Sequence, residues 1–257
     1  MAVAVTAGGA VRVPAQTFPA RDCLGPPYSD PVTPGQQVIA DAVGRLRDAA
    51  AAYPSLVAAL EARGPEICLD ARSVGARGHF DLGANVIAIN RGLEPAEVLA
   101  ILIHEVRHLD QIGRGICPSD GLAMEEVARA TFAMEADANA VLAHVAWELR
   151  AAGEGAVWDA FLGFEHYADI GPAYAAAREA GGSVAQALGS AFEQWYASDW
   201  RRERYYVASC SDYLDRADAT HRVPEYGMID DDFFARLCRL PDGSGYDCTP
   251  PVSSLRP

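Results

Sequence analysis

The residues best suited to chemistry lie in the stretch LIHEVRHLDQ, residues 102–111, which contains the pattern H-E-x-x-H as His104, Glu105 and His108. On a helix, side chains four residues apart lie on the same face, so both imidazoles can reach one metal ion. The glutamate between them can act as a general base toward water. Residue frequencies alone predict about 0.01 accidental matches in a chain of this composition. The pattern therefore predicts a zinc site.

The sequence around this motif favours a helix over residues 95–112. Pro95 suits the first helical position, Glu97 lies in the first turn, where the helix dipole favours an acidic group, and Gly113 suits the end. Apolar residues occupy most of the helix circumference, so we expect the helix to be buried. Buried polar groups cost free energy unless they have partners. A metal ion is one such partner, and the alternative is that the two histidines form ordinary buried hydrogen bonds.

A catalytic zinc ion usually has three protein ligands and keeps one position for water. A third histidine on the same helix, as in H-E-x-x-H-x-x-G-x-x-H, is excluded because Gln111 and Arg114 occupy the required positions. The best candidate is Glu135, within a second helix predicted over residues 120–151. Small alanines around Glu135 would let this helix approach the first one closely.

Asn139 lies one turn beyond Glu135 on the same helix face. We expect it to hydrogen-bond one of the liganding histidines. The rival candidates for the third ligand are Glu125, Glu126 and Asp137. Asp137 lies about 200° around the helix from Glu135, so the two cannot both face one ion.

The two motifs together resemble those of a known enzyme class. H-E-x-x-H followed by E-x-x-A-N is similar to gluzincin-type zinc metallopeptidases. The strand-like segment NVIAIN at residues 85–90 and Gln111, three residues after His108, resemble uncharacterised bacterial metallopeptidase domains with an H-E-x-x-H-x-x-Q core. The resemblance covers residues 78–145.

This resemblance implies one zinc ion per chain, with peptides or proteins as substrates. It implies His104, His108 and Glu135 as zinc ligands and Glu105 as the general base. In the resembling families a strand pairs with the substrate through its main chain. The residues expected to bind substrate in this way are Val86, Ile87, Ala88 and Ile89. The alternative is that this strand only forms part of the core.

The elements that must position these residues suggest an α+β, zincin-like fold. Residues 1–35 are rich in proline and glycine and predict an irregular segment, and residues 36–257 a single domain. Helical sequence from Gln36 to Arg63, broken near Pro54, precedes β-like segments between residues 67 and 90. We therefore expect a small twisted sheet, the motif helix and a mainly helical C-terminal part. Its later helices are predicted over residues 155–167, 172–180 and 183–218.

Several residues in that C-terminal part could stabilise a developing oxyanion. The candidates are His166, Tyr205, Tyr206, Tyr213 and His221. The aromatic and charged run WYASDWRRERYY, residues 195–206, favours amphipathic packing, with substrate contact as the alternative. We interpret His79 and His144 as structural.

Composition excludes several classes of function. The 257-residue chain has a formal net charge of −14, which argues against a nucleic acid or an anionic membrane surface as partner. It contains no run of about 18 apolar residues, so we expect no membrane span. Its first 15 residues lack a basic and then apolar signal sequence, so we expect no intact signal peptide.

The six cysteines favour an exported protein with three disulfides. Cys238 and Cys248 bracket the turn-rich segment RLPDGSGYD, which a disulfide could close. The alternative is a cytoplasmic protein with six thiols.

Two rival functions remain open at the level of sequence. One is a zinc-containing binding or regulatory module without catalysis, although such a module would not need Glu105. The other is a secreted effector or toxin peptidase that acts on a single protein.

Overall fold

The computed structural model describes residues 21–49, 52–71, 77–119 and 121–251, which form four strands and nine helices. The strands are β1 (Arg21–Leu24), β2 (Glu66–Asp70), β3 (Gly78–Asp81) and β4 (Val86–Asn90). The helices are α1 (Pro34–Asp48), α2 (Pro54–Arg63), α3 (Pro95–Gly113), α4 (Met124–Ala151), α5 (Ala156–Leu162), α6 (Ile170–Glu179), α7 (Val184–Trp195), α8 (Asp199–Ala219) and α9 (Phe233–Leu237). The predicted α+β class is confirmed. The prediction about a signal sequence falls outside the described residues.

The sheet is small and mixed, with the strand order β1-β2-β4-β3. β2 and β4 run parallel, and the two outer pairs are antiparallel. β4 therefore has a paired neighbour on each side, and its residues Val86, Ile87, Ala88 and Ile89 are buried. The prediction that these residues pair with substrate is wrong, because their main-chain groups already bond to β2 and β3. The edge strand that lies beside the motif helix is β3.

Two further predictions about elements need correction. β1 lies within the segment predicted to be irregular, since its residues pair with β2. The helix predicted over residues 183–218 is two helices, α7 and α8. The chain turns between them, and the Ser198 side chain accepts a hydrogen bond from the Arg201 amide to begin α8.

The motif helix α3 is the buried centre of the fold. It begins at Pro95, and the main-chain amide of Glu94 donates to the Glu97 carboxylate at 2.9 Å. The helix packs against α1, α2, α4 and α5 and against β3 and β4. The predicted helix over residues 95–112 is therefore confirmed. Because neighbours surround it, its position is set by packing on several sides.

Two disulfides cross-link the described part of the chain. Cys23–Cys68 joins β1 to β2, and Cys238–Cys248 closes the C-terminal loop as predicted. Cys117 and Cys210 are outside these bonds, so the prediction of three disulfides is wrong. Within the described residues, no helix combines the length and the apolarity that a membrane crossing requires.

Gly78 allows β3 to lie directly over α3. A Cβ atom at this position would overlap Ile101 Cγ2 and would come within 3.4 Å of the Glu105 carboxylate. We expect Gly78→Ala to lower the free energy of unfolding by about 1–3 kcal/mol, because a packed core resists added volume. Urea denaturation measures the change.

Gly44→Ala on α1 is the matched control, since no atom lies within 4 Å of its ideal Cβ position. It should be neutral or stabilising by up to about 1 kcal/mol, as alanine favours helices. Equal stability changes for the two variants would contradict the close approach of β3.

Candidate metal centre

Helices α3 and α4 bring the three predicted ligands together. The Nε2 atoms of His104 and His108 lie 3.1 Å apart. His104 Nε2 lies 3.4 Å from Glu135 Oε2, and His108 Nε2 lies 3.4 Å from Glu135 Oε1. The potential ligand atoms all lie within 4.8 Å of one another. Two imidazole nitrogens and a carboxylate thus converge on one point, although they come from two helices.

The chemistry of this group suits a divalent ion such as zinc. Nitrogen and carboxylate oxygen are common zinc ligands, and three of them leave a position open for water. Glu135 Oε2 is buried, and among the described residues it has the long 3.4 Å contact with His104 Nε2 but no well-formed hydrogen bond, which is costly for a carboxylate. The other described group of potential ligands contains Cys23 and Cys68, which their disulfide removes from metal binding.

Without a metal, the three side chains hold one another as an ion pair. Burial opposes the charged form of His108, but Glu135 and the hydrogen bond to Gln111 outweigh it and raise the His108 pKa to about 9. Burial likewise opposes ionisation of Glu135, yet the two histidines hold its pKa well below its usual range. A proton on His108 therefore neutralises Glu135, and a metal ion must displace that proton.

Glu105 lies beside this group, and only 5% of its surface is exposed. Burial raises its pKa, and the nearby Glu135 carboxylate adds to that effect, while His104 and His108 act in the opposite direction. A carboxylate with a raised pKa is a better proton acceptor. Its position in the cavity wall, next to the converging ligands, suits a general base.

A buried polar network orients His108 from behind. The Gln111 side-chain oxygen lies 2.8 Å from His108 Nδ1, so that this nitrogen carries the proton and donates it. The Gln111 amide donates to Asp137 Oδ2 at 2.6 Å and to the Met134 carbonyl at 2.9 Å. Gln111 therefore fixes the ring so that Nε2 points toward Glu135.

Asn139 does not make the histidine contact that was predicted for it. Its side-chain amide donates to the main-chain carbonyl of Glu135 at 2.9 Å, one turn earlier in the same helix. Among the rival ligands, Asp137 is fully buried in a bidentate pair with Arg107. Glu126 accepts a hydrogen bond from the Ile229 amide, and neither it nor Glu125 lines the cavity at this centre.

The C-terminal loop completes the network, which the sequence did not predict. The Tyr246 hydroxyl, inside the Cys238–Cys248 loop, donates to Asp137 Oδ1. Arg107 also donates to the Leu237 carbonyl at 3.2 Å and pairs with Asp110. The disulfide-closed loop and the end of α9 therefore both contact the buried network that joins α3 to α4.

The predicted ligands open into a cavity of about 720 Å³. Of the predicted oxyanion candidates, His166 and Tyr205 line it. Tyr167 was missed, and its hydroxyl lies 3.0 Å from that of Tyr205. Burial, followed by the charge of Glu135, raises the pKa of Tyr167 to about 12, and the same two causes raise the pKa of Tyr205 well above its usual value. Both hydroxyls therefore stay protonated and can donate.

The other aromatic and histidine candidates have different surroundings. Tyr213 is buried and accepts a hydrogen bond from the Glu225 amide, while Tyr206 packs against the core. His221 is exposed beyond the end of α8. His144 is buried against the Tyr174 hydroxyl, whereas His79 is exposed and lines the cavity.

A comparison with protein-family models matches this chain to a described family. The model of the family described as "Putative metallopeptidase family (DUF6782)" matches residues 14–248, which is most of the chain. The comparisons with curated proteins and with solved structures found no match.

The ion pair of the metal-free centre predicts a pH dependence of stability. A histidine pKa raised from 6.5 to about 9 stabilises the fold fully below 6.5, and this contribution is lost as the pH rises through 9. We expect the chelator-treated protein to lose on the order of 2 kcal/mol of unfolding free energy over that interval. Urea denaturation at several pH values measures the loss. The same series on Glu135→Gln should be much flatter, and equal slopes would contradict the ion pair.

The hydrogen bond from Gln111 predicts a loss of metal affinity when it is removed. We expect Gln111→Met to bind zinc about 10- to 100-fold more weakly, as is typical when the partner of a liganding histidine is lost. Competition with a chelating dye measures the affinity. Gln37→Met is the matched control, because the Gln37 amide bonds only to Asp41 on the surface of α1. Unchanged affinity in Gln111→Met would show that the His108 ring does not depend on Gln111.

Proposed function

Since this chain belongs to the "Putative metallopeptidase family", we propose that it is a zinc-dependent peptidase whose metal ligands are His104, His108 and Glu135. Membership of the family implies a metal and a peptide substrate. The observation that carries the finer proposal is the convergence of the three side chains within 4.8 Å at the wall of a cavity. Zinc is the proposed metal because two histidines and one carboxylate are a known catalytic zinc set.

The proposed chemistry is hydrolysis of a peptide bond. A zinc ion held by these ligands supplies Lewis acidity, which makes water more acidic and polarises a carbonyl group. Glu105, as the general base, accepts the proton of the attacking water and then gives it to the leaving amine. Its raised pKa suits both transfers, because it can hold the proton between them.

Tyr205 and Tyr167 are proposed to stabilise the charge that develops on the carbonyl oxygen. Their hydroxyls face the same cavity as Glu135 and remain protonated. A hydrogen-bond donor fixed beside the reacting group lowers the barrier because it is oriented before the reaction. The 3.0 Å contact between the two hydroxyls holds them in place.

The substrate main chain is proposed to pair with β3 rather than with β4. β3 is an end strand, and its residues Gly78, His79 and Phe80 line the cavity. The free main-chain amide and carbonyl groups of an edge strand can pair with a peptide, which then adds a strand to the sheet. Gly78 brings this strand close to Glu105.

We further propose that the α+β fold is zincin-like and of the gluzincin type, as one domain that includes β1 in addition to the expected residues 36–257. The two disulfides favour an oxidising, exported location, since disulfides persist there. A non-catalytic zinc module is disfavoured because Glu105 is retained beside the ligands. A narrow-specificity effector peptidase would use the same chemistry on one protein substrate.

Metal analysis with ligand variants tests the proposed centre. The protein purified without chelator should contain about one zinc ion per chain by plasma mass spectrometry. His108→Ala and Glu135→Ala should each lose most of it, because two remaining ligands bind weakly. If the parent protein takes up no metal, even when zinc is added, the peptidase proposal is wrong. Retention by Glu135→Ala alone would move the third ligand elsewhere.

Cleavage of a peptide library tests the reaction itself. Glu105→Gln should keep its zinc but lose about 10²- to 10⁴-fold in rate, since only proton transfer is removed. The matched control is Glu203→Gln on α8, an exposed residue outside the cavity lining, which should cleave like the parent. Equal rates for parent and Glu105→Gln would reject Glu105 as the base. Cleavage of a single protein, without cleavage of casein, would favour a narrow-specificity effector peptidase.

A further inference from the structure

The charges on the cavity wall are unusual for so acidic a protein. Among the described residues, the cavity is lined by two carboxylates, Glu105 and Glu135, and by two guanidinium groups, Arg77 and Arg204. The carboxylates lie at the proposed zinc centre, where a divalent cation would balance their charge. Within the described part of the chain, the two arginines are then left without a compensating charge in the cavity, although the chain has a net charge of −14.

Arg77 is held at the cavity by its main chain and by an aromatic ring. Its carbonyl accepts a hydrogen bond from the Asn90 amide at 2.8 Å, which extends the pairing of β3 with β4. Its guanidinium carbon lies 4.5 Å from the centre of the Phe164 ring. This arrangement keeps the charge at the end of the strand proposed to pair with substrate, and it leaves the N–H donors available.

Arg204 approaches the cavity from α8. Arg204 is exposed, precedes Tyr205 in the chain and lies one turn beyond Trp200. Arg204, Tyr205 and Trp200 all line the same cavity. Trp200 stacks on His166 with ring centres 3.7 Å apart, which stiffens this wall. Neither Arg204 nor Arg77 forms an ion pair with any residue that the structure describes. Nearby arginines such as Arg91 and Arg201, in contrast, are paired with aspartates.

From this charge distribution we propose that the cavity selects peptides carrying a carboxylate close to the scissile bond, bound by Arg77 and Arg204. The proposal rests on the peptidase function and specifies its substrate class. Guanidinium groups match the geometry of carboxylates and bind them through paired N–H donors. The carboxylate can belong to an aspartate or glutamate side chain or to the C-terminus of the peptide. An acidic protein surface would repel such peptides in general, so the cationic cavity wall supplies selectivity.

Binding to the Glu105→Gln protein loaded with zinc tests the proposal without requiring turnover. Fluorescence polarisation would compare labelled peptides that differ only in bearing Glu, Gln or Lys at one position. The Glu peptides should bind most tightly. Arg77→Gln and Arg204→Gln should each lower the affinity for the Glu peptides by roughly three- to tenfold. The affinity for the Gln peptides should change much less. Arg216→Gln is the matched control, since Arg216 pairs with Asp212 on the same helix, outside the cavity.

Two further experiments identify the source of the carboxylate and separate this inference from the proposed peptidase function. Amidation of the C-terminus should weaken the binding of all the peptides if the terminal carboxylate is bound, and should leave the preference for Glu intact if a side chain is bound. Arg204→Glu should reverse the preference toward Lys peptides. Equal binding of Glu and Lys peptides that C-terminal amidation does not weaken, or arginine variants that match the control, would overturn the inference even if the parent cleaves peptides. Arginine-dependent binding without any cleavage by the parent would support carboxylate recognition by the cavity and reject the peptidase function.

Discussion

The buried ion pair between Arg107 and Asp137 is the interaction on which the proposed centre depends. Two hydrogen bonds, of 2.7 and 2.9 Å, join α3 to α4. Arg107 lies next to His108 in the chain, and Asp137 lies two residues after Glu135, so the pair sets the separation of the proposed ligands. Removing one partner from a buried pair leaves an uncompensated charge, which costs about 3–5 kcal/mol. The pair thus specifies one arrangement of the two helices.

The cost of burying so many polar groups is offset by mutual satisfaction. Asp137 accepts from Arg107, Gln111 and Tyr246, and Arg107 donates also to the main-chain carbonyl of Leu237 at the end of α9. Arg107 and Gln111 belong to α3, Asp137 to α4 and Tyr246 to the C-terminal loop, so the network forms only when these three segments are in place. The Cys238–Cys248 disulfide reduces the freedom of the loop that carries Tyr246. The rear of the site is therefore rigid, whereas its front opens into the cavity.

The two sides of the centre differ in charge as well as in rigidity. Behind it, aspartates and arginines neutralise one another and exclude water. In front of it, the tyrosine hydroxyls and the guanidinium groups of Arg77 and Arg204 line the cavity, where they are available to a substrate. Under the proposed function, the negative charge of a substrate and the charge that develops during hydrolysis would both meet hydrogen-bond donors in this cavity. Specificity and catalysis would then draw on neighbouring groups.

Local patterns were sufficient to predict the motif helix, the strand at residues 86–90, the α+β class and the disulfide loop near the C-terminus. Each of these depends on residues close together in the chain: i, i+4 spacing, apolar runs and turn residues. The sequence also selected Glu135, since only a few carboxylates lie on a helix near the motif. Tertiary structure decided that β4 has two neighbours, that Gln111 rather than Asn139 meets His108, and that Tyr246 completes the network. Those outcomes depend on which distant segments pack together, and spacing along the chain does not encode the free energy of such contacts.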